Sequence, residues 1–193
     1  MAETEGGSAP APRKRADARR NEKTLLDAAA AAFVTSGVDV PVRDIATKAG
    51  VGVGTIYRHF PTRADLIVAV YQHQVEACVE AGPALLASSS TPYAALSSWI
   101  NLFVDFLVTK HGLAKAMQSG DSTYQSLHGS FIDRLVPVLA QLLDAAADEI
   151  RPDLEAFELM FAVGNLCAGA DYDTTRYDAR RMVDVLVAGL RVS

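Results

Sequence analysis

The chain predicts an all-α protein of about nine helices, with a small N-terminal helix-turn-helix head and a larger helical body. Three observations carry that reading. Apolar residues recur three and four positions apart along most of the sequence, the period of a helix with one buried face. Half of the 193 residues are hydrophobic, and much of that half is alanine, the strongest helix former. Glycine and proline gather at the ends of the periodic segments, and no stretch alternates apolar and polar residues as a strand would.

Residues 1–18 are rich in Ala, Pro, Gly and charge, with nothing to bury, and read as a disordered basic arm. A first helix is expected over 19–36, with Leu25, Ala29 and Phe33 four apart on one face and Ser36-Gly37 as its stop. A short second helix over 42–49 places Val42, Ile45, Ala46 and Ala49 on one side. Gly50-Val51-Gly52 makes a tight turn, and a third helix follows over 53–60. Two short helices joined by a three-residue glycine turn form the helix-turn-helix pattern. Pro61 ends the third helix. Thr62 then caps a fourth, with Asp65 in the capping-box position, and that helix is expected to run to Gly82-Pro83.

Five more helices make up the body: 92–110 with Trp99, Phe103, Phe106 and Leu107 on one face, a short one over 112–119, and a long one over 121–150 that Pro137 is expected to kink. A helix over 152–170 opens on Pro152, and one over 175–190 carries Val183, Leu186, Val187 and Leu190 on a stripe. The head is thus 19–65 and the body 66–193.

Composition narrows the function. No apolar run reaches the roughly 18 residues of a membrane span, since Asn101, Asp105 and Asn165 interrupt the longest candidates. The first 12 residues lack a signal-peptide core, so a cytoplasmic location without membrane contact is expected. Cys78 and Cys167 sit far apart in predicted helices and read as reduced, buried side chains. The net charge of −5 is unevenly spread. Residues 13–63 hold ten Lys and Arg against five acids, whereas residues 64–193 hold eight against sixteen. A basic head on an acidic body implies that only the head approaches a polyanion.

The outward face of the third helix fits that expectation. Gly52 and Gly54 keep its leading edge narrow enough for a major groove. Tyr57, Arg58 and His59 offer donors at phosphate-reaching length, and Arg63 stands where a backbone phosphate could meet the fourth helix. Arg43 can pair with a guanine edge or simply with Asp44, while Ile56 and Phe60 at i and i+4 read as core. The basic run Arg13-Lys14-Arg15 with Arg19-Arg20 suits either a minor-groove arm or a solvated tail.

The ordered set Val42-Arg43-Asp44-Ile45-Ala46, Ala49-Gly50-Val51 and Gly54-Thr55-Ile56-Tyr57-Arg58-His59-Phe60 resembles the DNA-binding domain of the TetR family of bacterial transcriptional regulators. Leu25-Leu26-Asp27-Ala28-Ala29 with Phe33 and Gly37 is similar to that family's first helix, and Arg63-Ala64-Asp65-Leu66 to the start of its fourth. The resemblance covers 19–66. It implies that Arg43, Val53, Gly54 and Thr55 meet bases and that Tyr57, His59 and Arg63 meet the DNA backbone. Val53 and Gly52 depart from the polar residues many relatives carry there, which shifts specificity toward Arg43 and DNA shape.

The resemblance further implies a homodimer through the last two helices, where Ala162, Gly164, Ala168 and Gly169 allow close approach. It implies a small-molecule effector among the middle helices, near Trp99, Phe103, Phe106, Met117, Tyr124, Phe131, Phe161 and Asn165, with Gln118 and Asp121 as further polar candidates. The resulting expectation is a repressor that binds a palindromic operator and is released by its effector. A helical adaptor or ligand-binding module without DNA regulation is the competing reading. No phosphate loop, metal-ligand cluster or nucleophile elbow appears, and the four histidines are scattered. No enzymatic activity, cofactor or metal is expected.

Overall fold

Eight helices make up the regular structure of the residues that the computed structural model describes, 12–116, 122–151, 154–168 and 177–192. They are α1 (Pro12–Ser36), α2 (Val42–Ala49), α3 (Val53–His59), α4 (Arg63–Ser88), α5 (Pro92–Ala116), α6 (Ser122–Ala145), α7 (Ala156–Ala168) and α8 (Ala179–Ala188). Among the described residues there is no strand, only one bridge between Ile150 and Arg191. Flanking bonds from Arg151 N to Leu190 O (2.9 Å) and from Val192 N to Glu149 O (3.1 Å) hold residues 190–192 beside the turn that follows α6.

The head forms as its local chemistry requires. Gly37 and Gly50 adopt φ of 74° and 68°, a left-handed conformation that only glycine takes without strain. Gly37 N bonds to Phe33 O at 2.8 Å and so closes α1. The expected capping box is present at α4: Asp65 N donates to Thr62 Oγ1 (3.1 Å), and Thr62 N donates to Asp65 Oδ2 (2.9 Å). α3 packs chiefly on α2, and α1 packs on α2, α4 and α5.

Several boundaries differ from expectation, each for a physical reason. α1 starts at Pro12, so the helix takes in much of the arm expected to be disordered. Proline suits a first helical turn, and Arg, Lys and Ala are strong helix formers; residues 1–11 lie outside the described residues. α4 passes through Gly82-Pro83 to Ser88. There glycine is a packing residue: a Cβ at Gly82 would lie 2.4 Å from Val138 Cγ1 of α6. Leu85 and Leu86, beyond the proline, still pack against the core, which offsets the hydrogen bond that Pro83 cannot donate.

α5 continues through Gly112 to Ala116, so the short helix expected over 112–119 is joined to its predecessor. α6 stops at Ala145, where a turn replaces the expected extension to 150. α7 begins at Ala156, and Pro152 lies outside the described residues. α8 begins at Ala179, with Asp178 Oδ1 accepting from Arg181 N at 3.0 Å as its cap.

One contiguous core runs from head to body. Its centre is α5, where Leu96, Trp99, Ile100, Phe103, Phe106 and Leu107 are all buried. Each such side chain contributes about 1.5–3 kcal/mol by leaving water. Trp99 Nε1 donates to the Cys78 carbonyl of α4 at 2.7 Å, so the indole is satisfied inside the core. Cys78 and Cys167 are buried free thiols. Burial, reinforced by the charge of Asp105, pushes the Cys78 thiol up to about 12. α4 is the element shared by both parts: His73 Nε2 contacts Asp27 Oδ1 of α1 at 2.6 Å, and Glu76 pairs with Arg134 of α6.

Candidate functional site

The head offers a helix face that its own fold leaves open. Ile45 and Ala46 of α2, with Ile56 and Phe60 around α3, are buried and fix the rotation of α3 about its axis. The opposite side of α3 is therefore exposed, with Val53 at 39% and Tyr57 at 49%. Gly54, Arg58 and His59 are exposed as well, and Thr55 is half-buried. A Cβ at Gly54 would meet nothing within 4 Å. The protein's packing thus places no demand for glycine there, and the bare backbone leaves room for an outside body to approach closely. The His59 ring lies 6.0 Å from that of Phe60.

Arg43 stands at the start of α2 with its side chain 81% exposed, and its Nε is 3.4 Å from Asp44 Oδ1. A pair this exposed holds by about 0–1 kcal/mol, so the guanidinium can exchange Asp44 for another acceptor. Arg63 is placed differently from expectation. Its half-buried guanidinium turns inward, Nη2 donating to the carbonyl oxygens of Val38 and Val40, the latter at 2.6 Å. Through this Nη2, Arg63 fastens the α1–α2 connection to α4.

In the body, α5, α6 and α7 line a cavity of about 270 Å³ that opens to solvent beside Phe157 and Phe161. It gathers four residues expected at the effector site: Phe103, Phe131, Phe161 and Asn165. Trp99 and Phe106 do not line it; their side chains are fully buried in the adjoining core. Met117, Gln118 and Asp121 lie outside the described residues, as does the side chain of Tyr124. Met160, Phe157 and Lys110 also line the cavity and were not expected there. Lys110 was nevertheless visible as the position seven after Phe103, on the face that Phe103 and Leu107 share. Its Nζ lies 4.7 Å from the centroid of the Phe131 ring.

The rings connect this cavity to α4. Phe131 lies 5.6 Å from Phe106, Phe103 lies 5.9 Å from Phe106, and Phe106 lies 5.2 Å from Tyr71 of α4. Among the described residues no His, Cys, Asp and Glu group of three or more could hold a metal. Among them, too, no helix is long and apolar enough to cross a membrane.

Comparison with known proteins agrees with both halves of this geometry. The family described as "Bacterial regulatory proteins, tetR family" matches residues 25–70, and "Transcriptional regulator SbtR-like, C-terminal domain" matches residues 91–192. The chain belongs to the TetR family. A TetR transcriptional regulator from Streptomyces coelicolor superposes with a TM-score of 0.70 at 33% identity, over 90% of this chain and 99% of that one. A TetR regulatory protein from Mycobacterium vanbaalenii gives 0.64 at 32% identity, over 93% and 99%. HTH-type transcriptional regulators of Staphylococcus aureus are 23% identical over 63% of this chain, and the match spans 66% of their length. As a TetR-family transcriptional regulator the protein is a DNA-binding protein and not an enzyme, with its helix-turn-helix in α2 and α3.

Proposed function

We propose that this TetR-family protein is a ligand-responsive repressor that binds a palindromic operator as a homodimer and leaves it when a small effector occupies the body. The observation that carries the DNA-facing half is the open side of α3, where a Cβ on Gly54 would meet nothing within 4 Å among the described residues and Val53, Tyr57, Arg58 and His59 face solvent. In this reading Val53, Gly54 and Thr55 approach base edges, and Val53 makes apolar contact, for instance with a thymine methyl. Tyr57, Arg58 and His59 hold the phosphates. Arg43 reads a guanine edge from the start of α2.

One head spans few base pairs, so useful specificity calls for two copies on a two-fold site. α7 and α8 are the proposed interface. Phe157 and Phe161 on α7 and Val185 on α8 are 52%, 63% and 61% exposed, a large apolar exposure for adjoining helices. Effector release follows as a population shift, in which the ligand binds one spacing of the two heads better than the other. The path proposed runs from Phe131 through Phe106 to Tyr71 on α4, whose first residue, Arg63, grips the head.

The test is selection of genomic fragments by the purified full-length protein, followed by affinity measurements across salt concentrations and sedimentation of the free protein. A dimer bound to a symmetric site, with affinity falling steeply as salt rises, is expected. Tyr57→Ala should weaken binding to every sequence alike, whereas Arg43→Ala should cost about 1–3 kcal/mol at a single base pair. A monomer at all concentrations, or no fragment retained at low salt, would overturn the reading.

A further inference from the structure

The cavity in the body carries its own chemical signature. Its wall is apolar, built from residues such as Phe103, Leu107, Phe131 and Met160, and the polar side chains on it are Lys110 and Asn165. Lys110 Nζ rests against the face of Phe131. No acid among the described residues pairs with it, although the body is rich in acids and other basic side chains there find one, Arg134 on Glu76 and Arg180 on Asp105. Removal from water by the surrounding apolar groups holds its ammonium below the usual lysine range. A cation on an apolar wall is stabilised by an anion and repels a second cation.

From this placement we infer that the cavity takes a small amphipathic carboxylate, with its head group on Lys110 Nζ and its apolar body against Phe103, Phe131, Met160 and Phe161. The inference rests on the reading of this cavity as the effector site and names the effector's chemical class. Asn165, on the α7 wall, supplies an amide near the same opening.

The experiment is calorimetric titration of the full-length protein with octanoate, octanol and octyltrimethylammonium, three probes with one tail and three head-group charges. Octanoate should bind at least about tenfold more tightly than octanol, which is about 1.4 kcal/mol, and the ammonium should bind weakest. Lys110→Met should remove the preference for octanoate and leave octanol nearly unchanged, while Lys110→Arg should retain it. Octanoate binding no tighter than octanol, a preference that survives Lys110→Met, a preference lost equally in both variants, or no binding by any probe would each overturn the proposal. Operator binding measured alongside separates the two readings. A Lys110-dependent octanoate site that leaves operator affinity untouched upholds this inference and defeats effector release. Octanoate-driven release that ignores Lys110→Met does the reverse.

Discussion

Gly54 in the head and Gly82 in the body are both helical glycines, and they lack a side chain for opposite reasons. A Cβ on Gly54 would meet nothing within 4 Å among the described residues beyond its own helix backbone and chain neighbours, whereas a Cβ on Gly82 would press to 2.4 Å from Val138. The first vacancy faces outward from α3 and leaves a bare backbone where DNA can approach. The second faces inward and lets α4 and α6 come together. The same contrast runs through the two regions. The head displays its functional groups on an open helix face, so they are exposed and weakly engaged. The proposed effector cavity of the body is instead assembled from several helices, so its character depends on which side chains α5, α6 and α7 bring to a common space.

Three substitutions test this contrast. Gly82→Ala has the largest expected effect on folding. Overpacking costs about 1–3 kcal/mol, and the helix preference of alanine over glycine returns at most about 1 kcal/mol, so the urea midpoint should fall. Adding Val138→Ala should recover part of that loss, a coupling measurable in a double-mutant cycle. Additive effects would mean that α4 and α6 do not meet at this point.

Gly54→Ala should behave in the opposite way. With no neighbour to clash, the folded head should gain about 0.5–1 kcal/mol from helix propensity, while operator affinity falls. Equal affinity for DNA in the variant would show that this side of α3 does not face the duplex. The smallest effect belongs to Thr109, a fully buried residue of α5 whose hydroxyl has no hydrogen-bond partner among the described residues. Thr109→Val removes that unsatisfied group and should leave stability unchanged or raise it by about 1 kcal/mol. A clear loss in thermal unfolding would reveal that the hydroxyl has a role in the body.

How much could be read before the fold was known follows the same division. The helix-turn-helix was legible because its signals are local. Gly50 ends α2 in a left-handed turn, Thr62 and Asp65 cap α4, and the spacing of Ile45, Ala46, Ile56 and Phe60 fixes which face turns inward. Arg63 escaped that logic, because its partners are the carbonyls of Val38 and Val40, more than twenty positions earlier. The ring-bearing helices of the body were also visible. Yet Trp99 and Phe103 share one face of α5 and divide between core and cavity wall, a distinction that periodicity alone does not make.

The sequence by itself determined the helical class, the position and orientation of α2 and α3, the basic head on an acidic body and the stripe on α5 that had to be buried. Those follow from local propensity, capping and a repeat of 3.6 residues, all of which act within a few turns of chain. Only the tertiary structure decided that α4 continues past Pro83, that Arg63 turns inward, and that Lys110 lies on an apolar wall beside Phe131. Each of these depends on atoms distant in sequence, and the packing of α4, α5, α6 and α7 is what brings those atoms together.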